Sequence, residues 1–174
     1  MKYKTYLYEP IIGKDEKKFV NDCLNSNWIS SKGDYIAKFE KKFSQYIKIK
    51  HSLTVSNGTA ALHLALLALD LKKSDEVIVP TFTYISPVNA INYIGSRIKF
   101  IDSDLETWQI NIDELKKNIS KRTKAIIVPH LYGQVCNIKK ISEICKKKKI
   151  FLIEDSAEAF GCYYKKKHLG TFGD

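Results

Sequence analysis

Arginine is almost missing from this sequence. Of its 29 basic residues only Arg97 and Arg122 are arginine, the rest lysine, and the net charge is +10. Such a charge suggests nucleic acid or an anionic membrane. Base and phosphate recognition, however, favours the planar arginine fork. The lysine runs at 146–149 and 165–167 flank apolar segments and read as solvated faces and a turn. No nucleic-acid partner is expected. No apolar run approaches the roughly 20 residues that a membrane span needs. The opening Met1-Lys2-Tyr3-Lys4-Thr5-Tyr6 has no apolar signal core, so the expected compartment is the cytoplasm, without a membrane. Only four cysteines occur, Cys23, Cys136, Cys145 and Cys162, at spacings that fit neither zinc nor a Cys-x-x-Cys motif. They are expected to be free thiols, mostly buried. No Gly-x-Gly-x-x-Gly follows the first expected strand, which argues against a dinucleotide-binding module. There is no internal repeat and no low-complexity linker.

What is present is an ordinary globular mixture, 174 residues with 44% hydrophobic and 28% charged side chains, long enough to bury a core. Helices are expected at 12–27, with Phe19, Val20, Cys23 and Leu24 on one stripe, and at 35–47, with Phe39, Phe43, Tyr46 and Ile47 inward. Beyond them, short apolar strands at 52–55, 76–80, 97–102, 125–129 and 150–154 alternate with helices at 58–69, 86–93, 112–119 and 138–148. A small hairpin is expected at 163–169. This alternation predicts an α/β fold, a mostly parallel sheet with helices on both faces. Each strand ends in small or polar residues, and ligands of parallel α/β sheets sit beyond those carboxyl ends.

Four strings at these ends could hold chemistry. Ser56-Asn57-Gly58-Thr59-Ala60-Ala61-Leu62 leads from a strand into a helix. A helix start offers free N–H groups to a phosphate, with Gly58 leaving room and Thr59 adding a hydroxyl; simple capping by Ser56 or Asn57 explains the string equally well. In Pro80-Thr81-Phe82-Thr83-Tyr84-Ile85-Ser86-Pro87, Pro87 suits a first helical turn, and Tyr84 either lies on an aromatic cofactor or fills the core. Ile150 to Ala159 is a buried strand ending in Glu154-Asp155, where Asp155 could meet a cation, bind magnesium or cap a helix. His130, in His130-Leu131-Tyr132-Gly133-Gln134, is equally a site residue or a structural one.

Taken together, Ser-Asn-Gly-Thr-x-Ala-Leu, Pro-Thr-Phe-Thr-Tyr, His-Leu-Tyr-Gly, Glu-Asp-x-Ala-Glu-Ala-x-Gly and Gly-Thr-Phe-Gly-Asp resemble the DegT/DnrJ/StrS aminotransferases over essentially the whole chain. The resemblance implies the fold type I, aspartate aminotransferase-like architecture of pyridoxal-phosphate (PLP) enzymes. Residues 1–50 would be a helical segment and 51–174 part of the PLP-binding large domain, with the rest of that domain and a small domain not included. It implies that Gly58 and Thr59 hold the PLP phosphate, that Tyr84 stacks on the ring, that Asp155 pairs with the ring nitrogen and that Glu158 lies near the ring hydroxyl. Ser30, in Trp28-Ile29-Ser30-Ser31-Lys32-Gly33, would border the sugar-nucleotide site. The implied reaction is amination of a nucleotide-linked 4-keto-6-deoxy sugar, GDP-4-keto-6-deoxy-mannose favoured, in surface-polysaccharide or O-antigen synthesis, with glutamate as amino donor and a homodimer as the working form. The family's Schiff-base lysine follows a Gly-Asp pair like Gly173-Asp174 and has no counterpart among these residues, so the 174 residues alone are expected to be inactive. A non-catalytic fragment or split-gene product, and a PLP-dependent sugar dehydratase with histidine in place of that lysine, are the alternatives.

Overall fold

A computed structural model describes residues 9–174. The chain divides into two compact units, Met1–Ser52 and Leu53–Asp174. The first holds α1 (Lys14–Asn25) and α2 (Asp34–Ile47). Of the side chains expected inward, only Ile47 is buried, while Phe43 and Cys23 are half-covered. Phe19, Val20, Leu24, Phe39 and Tyr46 are exposed, which corrects the expected packing. An apolar stripe states which face wants cover; two short helices supply too little surface to give it.

The second unit is a four-stranded parallel sheet, β1 (Glu76–Pro80), β2 (Arg97–Ile101), β3 (Thr123–Pro129) and β4 (Phe151–Asp155), in the order β2-β1-β3-β4. The central strands β1 and β3 are apolar on both faces because helices cover both. Val77, Val79, Ala125 and Ile127 pack on Leu62 and Leu66 of α3 (Gly58–Ala68) and on Ala90 and Ile91 of α4 (Ile85–Ile94). The alternate residues Ile78, Ile126 and Val128 pack on Leu115 of α5 (Ile112–Asn118) and on Ile138 and Ile141 of α6 (Ile138–Lys148). This is the period of two of an extended chain, expressed as two cores. A short hairpin, β5 (Tyr163–Tyr164) with β6 (Lys167–His168), follows β4.

One expected strand is absent. Residues 52–55 form no ladder, and Leu53 and Val55 are exposed. β-propensity describes fit to a pleated surface, and a strand exists only with a neighbour; none of the described strands lies beside it. The apolar helix α3 is similarly half-used, with Leu64 42% and Leu67 54% exposed on the side away from the sheet.

Cys136 and Cys145 are buried, Cys23 and Cys162 half-buried, and all four are free thiols. Burial pushes the Cys145 thiol up to about 12 and that of Cys136 higher still, so neither is a ready nucleophile.

Local signals hold the helix starts. Asn111 Oδ1 accepts from the amides of Asp113 and Glu114 at 3.0 and 3.1 Å, satisfying two amides of α5 that have no helical acceptor. Asn111→Ala is expected to cost about 1 kcal/mol. The check is a shift of the urea midpoint at unchanged slope; an unchanged midpoint would show that the cap contributes nothing.

Candidate functional site

The carboxyl ends of β1, β3 and β4 and the starts of α3 and α4 form one connected group. At α3, the Asn57 side chain caps the helix by accepting from the Ala60 amide at 2.9 Å. That leaves the first helical amides, those of Gly58 and Thr59, without an intrahelical acceptor. A Cβ placed on Gly58 would meet nothing within 4 Å, so the helix start faces open space. Thr59 Oγ1 is 2.8 Å from Ser86 Oγ, which ties this helix start to the first turn of α4. Tyr84 sits at the N-cap of α4 and is 66% exposed, so it is not a core tyrosine.

Tyr84 lines a cavity of about 190 Å³ together with His130, Leu131, Asp155, Ala157 and Glu158. Of the residues singled out from sequence in this unit, Thr59 is joined through Ser86 to α4, Gly58 precedes it at the same helix start, and Tyr84, Asp155 and Glu158 line one cavity. Asp155, the last residue of β4, accepts from the Ala157 amide at 3.2 Å. Burial raises its pKa above the ordinary carboxylate value, Glu158 adds to the rise, and the Ala157 amide and His130 oppose it. Among the described residues no lysine or arginine pairs with it. A half-buried carboxylate without a cation, in a cavity edged by an aromatic ring, fits a protonated heteroaromatic nitrogen. No group of three or more metal-ligating side chains occurs among the described residues.

Glu158 is exposed, and its Oε2 accepts from the Tyr132 amide at 2.6 Å. Tyr132 lies in a 3-10 turn, Leu131–Gly133, with a left-handed backbone at φ 54°. Sequence reasoning passed over Tyr132 and Ser86. A Tyr-Gly pair after a strand and a serine ahead of Pro87 were the available signals. Ser30 belongs to the other unit, where it lines a groove of about 480 Å³ with Trp28, Ile29, Gly33 and Tyr35.

The family model that matches residues 10–174 is that of the DegT/DnrJ/EryC1/StrS aminotransferases. This chain belongs to that family. It is 54% identical over 174 residues to a GDP-perosamine synthase of Escherichia coli O157:H7, covering all of this chain and 48% of that protein. The solved aminotransferase of Psychrobacter cryohalolentis superposes with a TM-score of 0.90 at 33% identity, over 94% of this chain and 42% of that one. An E. coli GDP-4-keto-6-deoxy-D-mannose-3-dehydratase with bound hydrated PLP gives 0.90 at 32% identity, over 96% of this chain and 44% of that one. The architecture is thus a partial domain of the PLP-dependent sugar aminotransferase fold, and the cofactor of the family is PLP. The chain spans about half the length of the curated relatives it matches. Among the described residues no helix is long and apolar enough to cross a membrane.

Proposed function

We propose that these residues form the cofactor-binding half of a PLP-dependent enzyme that aminates a nucleotide-linked 4-keto-6-deoxy sugar, GDP-4-keto-6-deoxy-mannose to GDP-perosamine, with glutamate as donor. The observation that carries this reading is the 54% identity to a GDP-perosamine synthase along the whole chain. The cavity supports it, since Asp155 is a half-buried carboxylate with no lysine or arginine paired to it among the described residues.

In this reading the amides of Gly58 and Thr59 hold the cofactor phosphate at the positive end of α3. Tyr84 lies on the ring and shields that face from water. Asp155 keeps the ring nitrogen protonated, which lets the bound cofactor draw electrons from the substrate carbon. Glu158, one of whose oxygens accepts from the Tyr132 amide, would lie near the ring hydroxyl. Ser30 and its groove contact the sugar nucleotide. The polysaccharide or O-antigen pathway is part of the same proposal, as is a homodimer. A homodimer suits the exposed apolar side chains of Phe82, Ile85 and Trp108. Turnover is proposed for the whole protein, since the chain spans about half the length of the relatives it matches.

The test is incubation of the whole protein with PLP, glutamate and GDP-4-keto-6-deoxy-mannose, with product analysis by mass spectrometry. The expected product bears an amine where the keto oxygen was. Loss of the 3-hydroxyl without gain of nitrogen would instead identify the dehydratase. Recovery of unchanged substrate, with PLP bound, would overturn the substrate assignment.

A further inference from the structure

The acidic pair at the tip of β4 is divided between two tasks. Asp155 opens on the cavity, while the side chain of its neighbour Glu154 is only 2% exposed and turns to the other side, as successive residues of a strand must. Each oxygen of the Glu154 carboxylate takes two donors. Oε2 accepts from His130 Nε2 at 3.0 Å and from the Gly170 amide at 3.1 Å. Oε1 accepts from the amides of Phe172 at 2.5 Å and Gly173 at 2.8 Å. The His130 ring is fully buried, and its own amide donates to the Asp155 carbonyl at 3.0 Å. No lysine or arginine among the described residues reaches this charge, so it is held by peptide dipoles and one imidazole.

We infer that Glu154 is a positioning residue, whose carboxylate ties the turn after β3 and the run 170–173 to the tip of β4 and thereby fixes the direction of the Asp155 carboxyl in the cavity. The function of that direction rests on the reading that Asp155 meets the cofactor. The chemistry requires a carboxylate and not merely a polar side chain. Four donors need an acceptor on both atoms of the fork; a glutamine of the same shape would aim its NH₂ at two of them. Hydrogen bonds to an ionised acceptor are also the stronger class. The donors hold the Glu154 pKa below its usual value against the opposing effect of burial, which is the largest single influence.

Two readouts on the full chain test this, amide hydrogen exchange and PLP titration followed by absorbance. In Glu154→Gln the amides of Gly170, Phe172 and Gly173 are expected to exchange at least about tenfold faster, the loss of roughly one charged hydrogen bond. Those of Ile126 to Val128 in β3 keep their rates. PLP affinity falls by a similar factor, with thermal stability of the β-sheet core retained. Unchanged exchange at the three amides would overturn the tie. Faster exchange with wild-type PLP affinity would overturn the positioning role. Asp155→Asn is the control for the underlying reading. If it binds PLP as wild type does, the cofactor role of Asp155 fails, while the exchange data still decide the tie. Should Glu154→Gln not fold, the unmodified protein gives the answer through the carbon NMR titration of the Glu154 carboxyl. With a lowered folded pKa, protection of the three amides, corrected for intrinsic rates, persists below the range where free glutamate protonates. It is then lost with the same midpoint as the carboxyl. Protection that survives protonation of Glu154 would overturn the proposal.

Discussion

Replacing Asp155 by asparagine is expected to stabilise the cofactor-free protein and to weaken PLP binding, two changes of opposite sign from one atom. The folded pKa of Asp155 lies above its unfolded value. The native state therefore binds the proton more tightly than the unfolded chain does, and stability falls as pH rises from the unfolded pKa through the folded one. Asparagine carries no titrating group at this position and removes that loss. The expected gain is about 1 kcal/mol, a rise in Tm of roughly 2–4 °C for a chain of this length, with a flatter stability profile between acid and neutral pH. The same change deletes a charged partner of the ring nitrogen, worth about 1.5–3 kcal/mol, so the Kd for PLP should rise roughly 10- to 100-fold. Differential scanning fluorimetry with and without PLP checks both. A loss of stability in the variant would show that Asp155 is already satisfied by its surroundings, and the argument from an uncompensated charge would fail. Trading stability for a charged group that only a ligand completes is the expected character of a functional site.

Gly173→Ala is the second large effect, and its cause is entirely steric. A Cβ on Gly173 would stand 2.4 Å from the Leu152 carbonyl oxygen and 3.3 Å from its carbon, both backbone atoms of β4 that cannot turn aside. The run 170–173 must then leave the strand, which breaks the amide bonds of Phe172 and Gly173 to Glu154. It also frees the Ser142 hydroxyl that donates to the Phe172 carbonyl at 3.3 Å. The expected cost is about 1–3 kcal/mol, the range for forcing a methyl into a packed site, and Tm should fall by several degrees. Gly58→Ala is the matched comparison. Its Cβ enters open space at ordinary backbone angles, so the free protein should be indifferent to it. Equal Tm values for the two variants would show that the close approach at Gly173 is relieved without consequence.

These two residues also mark what the sequence could and could not declare. The run Glu76–Pro80 and the helix Ile138–Lys148 were legible to the residue, because a continuous apolar strand and a 3.6-residue stripe are signals written within a single segment. The strings at Gly58, Tyr84 and Asp155 were legible for the same reason, as were the family and its cofactor. The stripe of Phe19, Val20 and Leu24 and the strand at 52–55 failed because burial and pairing are properties of two surfaces. One segment states only its half of them. The two oxygens of Glu154 and the space around Gly173 were invisible for a stricter reason. Glu154 and Asp155 are adjacent letters of one chemistry. Only the pleat of β4, with the turn after β3 on one side and residues 170–173 returning across its edge, gives one carboxylate four donors and leaves the other in the cavity without a cation. Periodicity and local motifs were enough for the helices, the four paired strands, the two-faced apolar core and the family. Which glycine has no room for a side chain and which acid is held were settled by the fold, because those depend on distances between atoms far apart along the chain.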